Sequence, residues 1–254
     1  MSCKTMTATM NSEYSSVAGW YGKIPSLGDF VSRRLPPDFI NTWDTWLQQG
    51  MAISRTQLGE CWVDLYMTSP IWRFILMSGI CGHTLWAGIL MPSVDKIGRC
   101  FPLMIATPIE PHPDMLFTVL SAQTWYASLE QLALASLNVN ISPDDLDRNL
   151  DEHPFPGLHI NRPVPVQEQE FADWWQLESS TESNDYRTLS LSSPNSLTEL
   201  FETTADNLLT TRGFGKSIWW NVSPETGATR LHCCTGLPPA NHFALLLSNT
   251  HPVR

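Results

Sequence analysis

From Pro36 onward, apolar residues recur at the spacing of one helical face: Phe39, Ile40, Trp43, Trp46 and Leu47. With Pro36-Pro37-Asp38 at its start, this pattern predicts a helix over about 38–57 whose aromatic stripe faces a core. A different pattern follows. Residues 70–80 (PIWRFILMSGI) and 83–94 (HTLWAGILMPSV) are short, continuous apolar runs around a glycine-bearing turn. They predict two buried strands joined as a hairpin. Hydropathy alone would mark 74–92, nineteen residues without a formal charge, as a membrane span, but the central GICGHT argues for the hairpin. Residues 99–109 predict a third strand, with Pro102 at its start or at an edge.

Helical spacing returns over about 114–138, rich in Leu and Ala, and again over 142–152. There Ser142 is placed to cap, Pro143 to occupy the first turn and Asp145 to close a capping box. The Pro-rich 153–166 must be extended or looped, and the Ser-rich 178–193 reads as an insertion. SLTELFETTADNLLTT predicts a helix; 216–222 and 229–236 predict strands; 238–248 predicts a helix opened by proline. At the other end, 19–25 reads as a short strand followed by a loop through Gly28. Strand hairpins at both ends, flanking helices, imply an α/β fold with a mixed sheet and helices packed on it.

Composition supports a folded domain: 43% of the 254 residues are apolar and 16% charged. The formal net charge of −10 is uneven. Residues 1–110 carry eight basic and eight acidic side chains, whereas 111–254 carry seven and seventeen. Within 144–206, fourteen acids face only Arg148, Arg162 and Arg187. That stretch repels a phosphate backbone, so no nucleic-acid partner is expected there; it is either a solvated acidic surface or a docking face for a basic partner. The six cysteines form no C-x-x-C pair and residues 1–18 contain no apolar stretch of signal-peptide type. A reducing, cytoplasmic compartment is expected.

Two polar segments could carry chemistry. YGKIPSLGDF (21–30) sets Gly22 beside Lys23, as a phosphate-binding loop would. The Walker pattern needs glycine at position 17 and Ser or Thr at 24, where Val17 and Ile24 stand, and the spacing Gly19, Gly22, Gly28 misses the dinucleotide fingerprint. In MPSVDKIGRCFP (91–102), Ser93, Asp95, Lys96 and Arg99 interrupt apolar sequence. Ser93 lacks the flanking glycines of a nucleophile elbow. A hydrogen-bonded connection in which Asp95 accepts from Arg99 and local N–H groups explains the residues, as does a partner surface. A hydrolase using Ser93, Asp95 and His83 stays as an alternative, as does a phosphate or nucleotide sensor at 21–30. His232, Cys233 and Cys234 lack a second ligand pair, and no H-x-x-x-H or H-E-x-x-H pair occurs, so no metal or cofactor is expected. Cys233 and Cys234 should point to opposite faces of a strand. The tryptophan pairs 174–175 and 219–220 read as core or interface anchors.

The blocks GWYGKIPSLGDFVSRRLP (19–36), WDTWLQ (43–48), PIWRFIL (70–76) and MPSVDKIGRCFPL (91–103) resemble the TagF family, also called ImpM. SIWW (217–220) and TGLPPANHFALLL (235–247) continue the resemblance to the end of the chain. These are accessory proteins encoded with bacterial type VI secretion systems. The resemblance implies a three-layer α-β-α sandwich: a mixed, largely antiparallel sheet with helices on both faces. It implies one TagF-like domain over 19–250; residues 1–18 are expected to be a disordered or weakly ordered tail and about 153–195 a loop-rich variable region. Some relatives are fused to a phosphatase domain, which is not expected within these 254 residues. It also implies a non-catalytic, post-translational repressor of secretion that binds a forkhead-associated (FHA) scaffold component and blocks assembly or firing. Lys23, Asp29, Arg73, Ser93, Asp95 and Arg99 are then the residues expected to form either a structural polar network or the partner surface.

Overall fold

The computed structural model describes residues 16–110, 115–156, 194–223 and 227–248. Strand β4 (Leu85–Met91) shows how the apolar runs build the architecture. It is buried along its whole length, yet Leu85, Ala87, Ile89 and Met91 enter one hydrophobic cluster while Trp86 and Leu90 enter another. Successive side chains of a strand point to opposite faces, so an unbroken apolar run belongs to a sheet covered on both sides.

Six further strands complete that sheet: β1 (Gly19–Gly22), β2 (Val31–Arg33), β3 (Trp72–Leu76), β5 (Leu103–Ile109), β6 (Lys216–Val222) and β7 (Thr229–Thr235). Their order is β2-β1-β5-β4-β3-β6-β7. Every pairing is antiparallel, where the sequence predicted a mixed, largely antiparallel sheet. The apolar stretch 74–92 is the β3–β4 hairpin, and no described helix is long and apolar enough to cross a membrane.

On one face lie α3 (Met115–Ser121), α4 (Gln123–Ala135) and α5 (Pro143–Asp151). Helices α1 (Pro37–Leu58), α2 (Trp62–Met67) and α7 (Phe243–Leu247) cover the other. The stripe read from the sequence is the buried side of α1: Phe39, Trp43, Trp46 and Leu47. Trp43 stacks on Trp219 at 5.9 Å and 18°. At Gly50, a Cβ would meet the Phe243 ring at 2.5 Å, which lets α7 close against α1. Helix α6 (Pro194–Arg212) is tied to α3 where the Phe117 N–H donates to Asp206 at 2.8 Å.

Three local expectations change. The single helix over 114–138 breaks at Ala122 (φ −72°, ψ 45°), and Gln123 folds back to donate to the Leu120 carbonyl at 2.7 Å. No element is expected between the loop through Gly28 and Pro36, but Val31–Arg33 pair antiparallel to β1. The helix over 238–248 opens as a 3-10 turn, Ala240–His242, before α7. The capping box at Ser142 forms as read, with Asp145 N–H donating to Ser142 Oγ at 3.1 Å. Most of the variable region 153–195, Trp174 and Trp175 fall outside the described residues.

Candidate functional site: two polar segments joined at Asp95

Gly22 shows what the opening motif is for. Its φ is +144°, and a Cβ there would run into the Pro102 carbonyl oxygen. The glycine lets the end of β1 and the start of β5 approach closely, which brings segments 21–30 and 91–102 together.

At their junction sits Asp95, which is buried. Its Oδ2 accepts from Lys23 Nζ at 3.0 Å and from Arg99 Nε at 2.6 Å. Its Oδ1 accepts the backbone N–H groups of Ile97 at 3.1 Å and Arg99 at 2.9 Å, closing a tight loop with Gly98 at φ +81°. Short polar side chains that bind backbone donors two to four residues on stabilise such loops. Burial opposes ionisation of Asp95, but the Arg99 N–H, the Lys23 ammonium, the Arg99 guanidinium and the Ile97 N–H outweigh it. They hold its carboxyl well below the usual carboxylate range.

Further bonds stitch the two loops. Arg99 Nη2 donates to the Gly28 carbonyl at 2.7 Å, and the Lys96 N–H to Leu27 at 2.8 Å. Ser93 Oγ donates to the Lys23 carbonyl at 2.7 Å, while the Ser93 carbonyl accepts from Tyr66 Oη at 2.7 Å. Tyr66 Oη in turn accepts the Ser93 N–H at 3.0 Å, and burial, partly offset by that N–H, raises the Tyr66 phenol above its ordinary value. The ammonium of Lys23 lies 4.7 Å from the centre of the Phe30 ring, and Phe30 packs edge-on to Phe101 at 4.7 Å.

Of the six residues singled out in the sequence, Lys23, Ser93, Asp95 and Arg99 meet here; the other two do not. Asp29 is exposed, and its carboxylate accepts the Phe30 N–H at 2.8 Å. Arg73 belongs to a separate cluster between β3 and α4. Its Nε donates to Glu130 Oε1 at 2.6 Å, its Nη2 to Oε2 at 3.1 Å and its Nη1 to Gln123 Oε1.

The hydrolase alternative is not assembled. His83 is exposed in the turn before β4, and Ser93 follows the other end of that strand. Seven extended residues separate them by on the order of 25 Å. Ser93 spends its hydroxyl proton on a backbone carbonyl. A phosphate sensor at 21–30 would need Lys23 free, but its ammonium is buried against Asp95. Cys233 and Cys234 lie on opposite faces of β7, opposite Ile218 and Ser217 respectively. Burial pushes the Cys81 thiol up to about 12. Among the described residues, no group of three or more His, Cys, Asp and Glu could hold a metal ion.

Two arrangements had no clear signal in the sequence. Arg34 adopts φ +55°, sparsely populated for a non-glycine residue. Its side chain is tied twice to the Ala18 carbonyl and pairs with Asp147 at 2.8 Å and Asp151 at 3.4 Å. Asp147 also accepts from Trp20 Nε1. Part of the acidic stretch 144–206 is therefore spent inside the protein, binding the segment around β2. The second arrangement is Arg55, whose guanidinium lies 4.3 Å from the centre of the Trp62 ring beside the Asp95 loop. A cation seven residues before a Trp, across the Gly59 break, is its only sequence trace.

The fold and cluster together define an antiparallel α-β-α scaffold whose polar segments bind each other. A family described as "TagF N-terminal domain, Type VI secretion system-associated" matches residues 19–153, and the chain belongs to that family. Among solved structures, the crystal structure of PA0076 from Pseudomonas aeruginosa PAO1 is similar, with a TM-score of 0.67 and 31% identity over 93% of this chain and 96% of that one. Comparison with curated proteins finds no match.

Proposed function

We propose that this protein is a cytoplasmic, non-catalytic regulator that represses type VI secretion by stoichiometric binding of an FHA-domain scaffold component. The reading treats residues 19–250 as one TagF-like domain. Membership of a type VI secretion-associated family is the observation that carries it. The geometry of segments 21–30 and 91–102 supports it. These blocks, which carry the family resemblance, spend their polar atoms on one another and hold a surface loop rigid at Ile97 and Arg99. A rigid exposed loop is suited to recognition, because little ordering entropy remains to be lost on binding.

The experiment is affinity capture of the tagged full chain from a bacterium with active type VI secretion. The expected result is co-purification of an FHA-domain protein, with secretion falling as the chain is overproduced. Absence of any FHA-domain protein from the captured material, with secretion unchanged, overturns the reading.

A further inference from the structure

An open groove of about 640 Å³ lies beside the Asp95 loop, lined by residues that include Arg55, Trp62, Val63, Arg99 and Cys100. Two guanidinium groups line it: Arg55, and Arg99, which shares the Asp95 carboxylate with Lys23. Arg55 rests on the Trp62 ring and its side chain makes no hydrogen bond or ion pair among the described residues. Arg99 uses Nε and Nη2 but leaves Nη1 without a partner among the described residues, and its side chain is 58% exposed. Asp95 is buried and faces two cations, Lys23 and Arg99, so its single negative charge is more than offset at the loop. The neighbouring acids in sequence, Glu60 and Asp64, pair with neither arginine among the described residues. Apolar surface is exposed there: Val63, which lines the groove, is 53% exposed, and Ile97, next in sequence to the lining residue Gly98, is 73% exposed.

We infer that this groove docks an acidic segment of a protein partner, with one Asp or Glu carboxylate between Arg55 and Arg99 and apolar neighbours on Val63 and Ile97. Charge complementarity selects the occupant. A guanidinium fork matches a carboxylate, and Arg and Trp are the residue types that anchor interfaces. Both cations are held in place before binding, Arg55 on an aromatic face and Arg99 by Asp95 and Gly28. The inference rests on the function proposed above and supplies the surface and the partner chemistry for it.

The test measures binding of the purified FHA-domain scaffold protein to the full chain by titration calorimetry at low and high salt. Arg55→Glu and Ile97→Asp are compared with the natural sequence, each checked for an unchanged melting curve. Neither side chain touches Asp95, and the two stand on different elements. The expected result is at least about tenfold weaker binding for Arg55→Glu and a smaller loss for Ile97→Asp. Affinity of the unaltered chain should fall with salt. If the unaltered chain binds the scaffold and both variants bind equally well, the groove is not the docking site, although the proposed function stands. If the unaltered chain does not bind, the proposed function fails and takes this occupant with it. If Arg55→Glu abolishes self-association in sedimentation while scaffold binding is unchanged, the occupant is a second copy and the inference is wrong.

Discussion

The Asp95 and Arg73 clusters use the same chemistry with opposite polarity. At Asp95 the carboxylate is buried, with a side chain 0% exposed, and Arg99 reaches into solvent. At Arg73 the cation is the buried partner, 9% exposed, and Glu130 lies towards solvent at 26%. One cluster ties two loops together and shows positive charge outside. The other pins β3 to α4 and shows negative charge. A half-buried salt bridge thus sets the sign of the surface above it, according to which partner is sunk. In a chain of net charge −10, the Asp95 cluster is the unusual one.

The comparison breaks first at Asp95. Replacing it with Ala leaves the Lys23 ammonium buried without its acid and frees two loop N–H groups. Removing one partner of a buried pair is strongly destabilising. Asp95→Ala is therefore expected to lower the melting temperature by on the order of 10 °C, or to prevent folding, as read by circular dichroism. An unchanged melt would mean that the loops hold without the carboxylate.

Arg73→Met should cost less, roughly half that drop. The apolar stem still packs near Tyr126, over whose ring the guanidinium lies at 5.3 Å, and Glu130 can turn to water. If Arg73→Met destabilises as much as Asp95→Ala, burial of the acid is not what distinguishes the clusters.

These clusters also show how much could be read before folding. Apolar runs in 70–109 predicted β3, β4 and β5, because a strand buried on both faces leaves a continuous trace. The same logic failed for β2, whose three residues alternate too briefly to register. It also failed at Ala122, where Gln123 breaks the helix by a side-chain bond that periodicity does not encode. At the site, Asp95 and Arg99 were legible because an acid and a base four apart around a glycine can close a loop. Lys23, 72 positions away from Asp95, could be assigned to the network only through the family resemblance. Arg73 was misplaced with them for want of any sign that it points to the opposite face. The Arg55–Trp62 contact spans a helix end whose geometry decides it, so composition gives no warning.

pH sharpens the comparison further. The Asp95 carboxyl is held low in the folded protein, whereas an unfolded Asp titrates near about 3.9. As pH falls below about 4, the unfolded chain takes up this proton first, so the stability that Asp95 contributes above that pH is progressively lost. Urea midpoints between pH 6 and pH 3 should fall for the natural chain and fall less steeply for Asp95→Asn. His232 adds a second, earlier decline. Burial and then Arg230 hold its pKa below the ordinary value, so stability begins to drop as pH passes below about 6.5. Equal slopes for the natural chain and Asp95→Asn would remove the buried carboxylate as the source of the lower transition.

The smallest effect is expected at Asp29, and it is the most discriminating. Its carboxylate is exposed and accepts one hydrogen bond, from the Phe30 N–H. An Asn oxygen can accept that bond equally well, so Asp29→Asn should leave the melting temperature within about 1 °C. Should it instead melt several degrees lower, Asp29 shares the cations of Lys23 and Arg99 in solution. The loop would then present a balanced pair rather than net positive charge, and the contrast with the Arg73 cluster would disappear. The same variant read by scaffold binding points the other way. Asp29 follows Gly28, whose carbonyl accepts from Arg99, so removing this acid should tighten binding of an acidic partner slightly at low salt and not at high salt.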